Sequence, residues 1–201
     1  MIDRFRKSRR CVERSAWLLW MAKRAMEIRR MLEVELQFAD PQYAPPDPAL
    51  LRRAAALTFD HISMNGGDYG DAALTIVLTS DAHVMALNQQ FRGVSAPTDV
   101  LSFPADPIPM PEGIDEPSYL GDLVIAQPYA QAQAEKLGHD PVASMALLVI
   151  HGTLHLLGFD HDTPERKAEM WAAQTTILSA LGINPEILPA LEANAHGDEM
   201  E

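Results

Sequence analysis

His151-Gly152-Thr153-Leu154-His155-Leu156-Leu157-Gly158-Phe159-Asp160-His161 is the stretch from which the rest of the chain can be read. Residues four apart on an α-helix lie one above the other, so His151 and His155 direct both imidazoles at one point. The preceding run, Met145 to Ile150, is apolar throughout, as expected of a central helix surrounded by protein. Gly158 has no Cβ, so it can take positive φ, end the helix and fold the chain back, bringing His161 to the same point. Three neutral imidazoles leave one tetrahedral position open on a bound cation, the arrangement of a catalytic rather than a closed structural site. Zinc suits this ligand set first, with nickel, copper and iron allowed by ligand type. If the histidines were only core residues, their buried ring nitrogens would still need partners.

Outward from this stretch the chain divides into short elements. Asp140 and Pro141 form an N-cap and first helical residue that open the histidine helix. Thr163 and Pro164 open a last long helix, in which Met170, Trp171, Gln174, Ile177, Leu178 and Leu181 recur at helical spacing before Gly182 ends it. Upstream, Ala73–Thr79, Thr98–Phe103 and Leu120–Ala126 read as strands. Leu32, Val34, Leu36 and Phe38 alternate with Glu33, Glu35 and Gln37 as a further strand. Ala49–Phe59, a segment capped by Ser80 and Asp81 that runs to about Phe91, and Pro128–Leu137 before Gly138 read as helices. There is no internal repeat.

The 201 residues, 47% hydrophobic and 22% charged, suffice for one core and one domain. No apolar run approaches the roughly 20 residues of a membrane span, so no membrane insertion is expected. Cys11 is the only cysteine, which excludes an internal disulfide, leaves metal binding to histidine and carboxylate, and favours a reducing, cytoplasmic location. Charge is uneven. Residues 1–30 hold ten Lys/Arg against three Asp/Glu, whereas the remainder holds six against 25, for a net charge of −12. Residues 1–30 are therefore expected to be a basic N-terminal arm, disordered or a mis-assigned start, followed by a folded domain over 31–182 and a loose C-terminal tail over 183–201. A polyanion such as RNA would meet a repulsive average field and need a local basic or metal-bearing patch.

The three histidines and the glycine match the zincin spacing H-E-x-x-H-x-x-G-x-x-H, but Gly152 replaces the glutamate that takes a proton in a peptidase. Ordinary proteolysis is therefore disfavoured. Asp160 and Asp162 flank the third histidine, where they could orient it, cap the next helix or act in catalysis.

The same stretch closely resembles the signature H-G-x-L-H-L-x-G-y-D-H of the YbeY family of endoribonucleases, also called rRNA maturation factors. The likeness extends to Leu87-Asn88-Gln89-Gln90-Phe91-Arg92, to Thr98-Asp99-Val100-Leu101-Ser102-Phe103-Pro104, to Leu120-Gly121-Asp122-Leu123-Val124-Ile125 and to Gly138-His139. It covers roughly Met31 to Gly182. It implies an α+β, zincin-like single domain with a small mixed β-sheet packed by helices and a metal site on a central helix. It further implies one zinc ion per chain on His151, His155 and His161, and cleavage of single-stranded RNA in small-subunit ribosomal RNA maturation and ribosome quality control. The implied partners are ribosomal RNA, the small ribosomal subunit and ribosome-associated proteins, with no DNA.

The family's functionally important arginine falls on Arg92. A guanidinium can hold a phosphate by two parallel hydrogen bonds, although a structural pair with Asp99 or Asp122 is the competing expectation. His139 either supports the site or shapes the turn before the histidine helix. Ser144 stands where the family often has glutamate, and the loop from Pro104 to Pro117 is long and acidic. Two other functions fit the residues: a metal hydrolase of peptides or small esters and amides, and a zinc-stabilised factor that docks on the small subunit without catalysis.

Overall fold

Four strands and five helices are present among the described residues, 30–67, 69–106 and 116–191, of the computed structural model. The chain divides between Arg30 and Met31, and the fold lies in the unit that begins at Met31. The basic arm lies outside the described residues except for Arg30, as do residues 107–115 of the acidic loop and 192–201 of the tail. The elements are β1 (Leu32–Phe38), α1 (Pro48–Met64), β2 (Ala72–Thr79), α2 (Asp81–Arg92), β3 (Val100–Pro104), β4 (Ser118–Ala126), α3 (Gln127–Leu137), α4 (Pro141–Leu156) and α5 (Pro164–Leu181). Strand order is β1-β2-β4-β3, with β1, β2 and β4 parallel and β3 antiparallel to β4. The fold is thus α+β with a small mixed sheet.

Side chains alternate across the sheet, as the two-residue period of a strand requires. Leu74, Ile76 and Leu78 of β2 and Leu123 and Ile125 of β4 join Leu51 and Phe59 of α1 and the apolar residues of α4 in the main core. Val124 faces the other way and meets Val84 of α2 in a smaller cluster. Helix α4 is central, as its composition suggests: every residue from Met145 to Ile150 is buried.

Element boundaries differ from the sequence reading where side chains compete with the backbone. Strand β3 begins at Val100 rather than Thr98; just before it the Asp99 carboxylate accepts hydrogen bonds from the Val100 N–H (2.8 Å) and the Thr98 hydroxyl (3.3 Å), while the Asp99 carbonyl accepts from the Ala126 N–H at 3.0 Å. Helix α1 continues past Phe59 to Met64, since no breaker occurs before Asn65 and Gly66. The segment after residue 182 was expected to be loose, yet its described part is packed. Ile183, Ile187, Leu188 and Leu191 recur at helical intervals around a 3-10 turn at Pro185–Ile187, and Leu188 is buried in the main core. No helix among the described residues is long and apolar enough to cross a membrane.

Leu188→Ala should lower the unfolding free energy by about 2–4 kcal/mol, the usual cost of truncating a core leucine. Urea denaturation checks this, and a change below about 0.5 kcal/mol would place Leu188 outside the cooperative core.

Candidate metal centre

Helix α4 delivers two imidazoles from inside the core. Asp140 starts it by accepting the Val142 N–H at 3.0 Å, with Pro141 at the first helical position. His151 and His155 follow one turn apart, and their Nε2 atoms are 3.1 Å from each other. Beyond Leu156 the helix closes in a Schellman arrangement. Gly158, at φ +86°, donates its N–H to the His155 carbonyl, and Phe159 donates to Leu154, each at 3.0 Å. Phe159 packs on the core, and the chain turns back to present His161. Asp160 accepts the His161 backbone N–H at 2.8 Å and so shapes the loop.

The three rings converge. Their centroids are 4.6, 5.4 and 5.1 Å apart, and one nitrogen from each lies within 4.8 Å of the others. Two nitrogens on a tetrahedral zinc at its usual bond length sit about 3.4 Å apart, so the His151–His155 spacing fits a shared cation. Protonation fits too. Burial, followed by the charges of His155 and His161, pushes the pKa of His151 down to about 3, against a smaller opposing effect from its bond to Gln174. Burial also lowers His155, with His161 next and Arg92 contributing. Both rings are neutral near pH 7, as metal ligation requires.

Gln174 of α5 is a site residue that the sequence reading placed only in an apolar stripe. It is fully buried, and its Oε1 lies 3.3 Å from His151 Nδ1. An amide oxygen only accepts, so His151 carries its proton on Nδ1 and turns the Nε2 lone pair toward the other histidines. A glutamine amid residues that pack a core is the signal that could have marked it.

A cleft of about 830 Å³ opens over the cluster. Arg92, at the end of α2, borders it, and residues of β3 and α5 line it as well. Arg92 is exposed, and among the described residues it forms no ion pair with Asp99 or Asp122, so that competing expectation is not met. Asp122 instead accepts the Tyr119 hydroxyl at 2.7 Å. Buried Asn88 donates to the Ala96 carbonyl at 2.8 Å and pins the loop that follows Arg92.

The two aspartates beside His161 turn to Arg166, Asp162 at 2.8 Å and Asp160 at 3.7 Å. The backbone bond from His161, more than the nearby cations, keeps the Asp160 carboxyl below its ordinary pKa. His139 is not brought into the site. It stands just before the N-cap of α4, and His151 lies ten residues into that helix, about 15 Å along the axis from its start.

Gly152 is set by packing. A Cβ there would come within 2.7 Å of Leu123 Cδ2 and 3.2 Å of Ser102 Oγ, and Leu123 is itself fully buried. A glutamate there, as in the peptidase motif, would require Leu123 to shift.

Two expectations follow from this geometry. Gly152→Ala should destabilise the protein by about 1–3 kcal/mol through overpacking, measured by urea unfolding; an unchanged midpoint would mean the α4–β4 contact is slack. In chelator-stripped protein, a folded pKa of about 3 for His151 lies below the unfolded value near 6.5, so the unfolded chain binds the extra proton and stability falls as pH drops from about 6.5 toward 3. The loss should approach about 1.4 kcal/mol per pH unit for this ring, and His151→Ala should flatten the slope. An equal slope in both proteins would count against a neutral, buried His151.

Residues 49–182 match the family model described as Endoribonuclease YbeY. The Endoribonuclease YbeY of Roseiflexus castenholzii is 44% identical over 154 residues, which cover 73% of this chain and 91% of that protein. That of Azorhizobium caulinodans is 39% identical over 166 residues, 82% of this chain and 99% of its own length. A solution structure of a protein from Thermotoga maritima is similar at 22% identity and a TM-score of 0.47, covering 85% of this chain and 99% of that one. With the family model spanning the histidine cluster, Arg92 and strands β2 to β4, and relatives matched over nearly their whole length, the chain belongs to the Endoribonuclease YbeY family.

Proposed function

We propose that this chain is a zinc-dependent, single-strand-specific endoribonuclease of the cytoplasm that acts on ribosomal RNA in small-subunit 3′-end maturation. One observation carries the reading: three converging imidazoles and an exposed arginine border the same cleft. His151, His155 and His161 would hold the cation, which when bound supplies Lewis acidity and concentrated positive charge beside a scissile phosphate.

The chain's own residues then divide the work. Arg92 offers a planar fork of donors to two phosphate oxygens and stabilises charge that develops on them as the bond breaks. Gln174 fixes the His151 tautomer, and Asp160 fixes the loop that carries His161. Because Asp160 is ionised and engaged with the His161 N–H and Arg166, its part is orientation. With Gly152 in the place of the peptidase base, peptide hydrolysis has no carboxylate to begin from.

Incubating metal-quantified protein with precursor small-subunit rRNA and mapping the new ends tests this. His151→Ala should lose both bound zinc and cleavage. Arg92→Ala should keep its zinc while kcat/KM falls by about 100-fold or more, with Arg92→Lys recovering only part. New ends produced equally by wild type and His151→Ala would sink the proposal. A 2′,3′-cyclic phosphate at the cut identifies the RNA 2′-hydroxyl as nucleophile, and linear ends identify water.

A further inference from the structure

Only six Lys/Arg occur after residue 30, and three of them, Arg92, Arg166 and Lys167, line the cleft over the histidines. Such a concentration in a domain with 25 carboxylates is a local exception to its charge. Arg166 and Lys167 stand on α5, together with Trp171, one turn after Lys167, and Gln174, one turn further. This stripe reaches the metal centre, because Gln174 touches His151. Trp171 lies only half-buried in the cleft wall, whereas its helix neighbours Met170 and Ala173 are buried. The Lys167 ammonium sits 5.1 Å from the centre of the indole, within range of a cation–π contact.

We propose that this wall is a nucleotide subsite, in which Trp171 stacks a nucleobase and Lys167 and Arg166 hold the phosphates beside it. The assignment deepens the nuclease reading and rests on it for the class of ligand. An indole accompanied by cations is the kind of surface that binds single strands without regard to sequence, since every base has a π-face and every linkage a charge. Among the described residues, Asp162 and Asp160 both approach Nη1 of Arg166, which leaves its other guanidinium donors for phosphate. Arg92 lines the same cleft from another element, α2. A base must leave its helix to stack on Trp171, and this requirement selects single-stranded RNA over duplex.

The full-length, zinc-loaded protein is titrated with a short fluorescein-labelled single-stranded RNA of mixed sequence, and separately with the duplex formed with its complement. Anisotropy is read before cleavage sets in, and cleavage is followed in parallel. Trp171→Ala should weaken single-strand binding by roughly 5- to 100-fold and leave duplex binding and zinc content unchanged, while Trp171→Phe should retain most of the affinity. Lys167→Gln should reduce the slope of log affinity against log salt by about 0.7, one phosphate contact to a single strand. A loss below fivefold in Trp171→Ala, or an equal loss for duplex, overturns the subsite. Unfolding curves of both Trp171 variants separate lost folding from lost stacking, and Trp171→Phe decides if the alanine variant fails to fold. If wild type binds RNA through Trp171 but never cuts it, the nuclease reading fails and the subsite stands; if it cuts RNA and Trp171→Ala binds as well as wild type, only the subsite fails.

Discussion

Burial of the histidine helix is the constraint on which the site depends. Helix α4 is apolar on every side, and Leu154, between the two histidines, has no exposed surface. A close-packed interior gives these backbone positions no freedom to drift, so His151 and His155 are held at a fixed separation whatever occupies the cleft. The same burial keeps them unprotonated. His161 differs: it is exposed and stands on a loop whose shape comes from the Gly158 turn and the Asp160 carboxylate. The cluster therefore combines a rigid pair with a third imidazole placed by local hydrogen bonds.

Electrostatics act at two ranges. At physiological ionic strength charges beyond about 8 Å are largely screened, so the distant carboxylates of an acidic domain weaken approach without cancelling contacts made inside the cleft. Arg92, Arg166 and Lys167 operate at that short range, and Asp160 and Asp162 temper Arg166 rather than neutralise the cleft. Such a surface is unsuited to holding polyanions generally. It favours a strand flexible enough to enter, which is a basis for selectivity in a domain with only six Lys/Arg after residue 30.

Most of the fold was legible because its signals are local. Asp140-Pro141, Thr163-Pro164 and Ser80 each cap a helix as their chemistry suggests, and the alternation from Leu32 to Phe38 marks β1. The histidine cluster was legible for the same reason, since an i, i+4 pair and a glycine turn lie within eleven residues. What escaped depends on separation in sequence. Gln174 reaches His151 from 23 residues away, and Arg166, Lys167 and Trp171 enter the cleft only because α5 folds back across α4. His139 is the opposite case, near the histidines in sequence but placed before the N-cap of α4, at the end of that helix away from them. The described part of the tail escaped because Ile183, Ile187, Leu188 and Leu191 are too few to announce a helix, yet enough to cover a core.

Gly152 joins the architecture to the chemistry. Antiparallel β3 brings Ser102 close to α4, and with Leu123 of β4 it fills the space a side chain at 152 would need. The three-histidine spacing is thus kept while packing disfavours the carboxylate that serves peptide hydrolysis. A peptide substrate needs that group to move a proton from water to an amine. A phosphodiester carries its charge already, and its cleavage depends more on stabilising the oxygens around phosphorus. Close approach of sheet to helix therefore withdraws one chemistry from the cluster, and the cations placed along the same cleft suit the other.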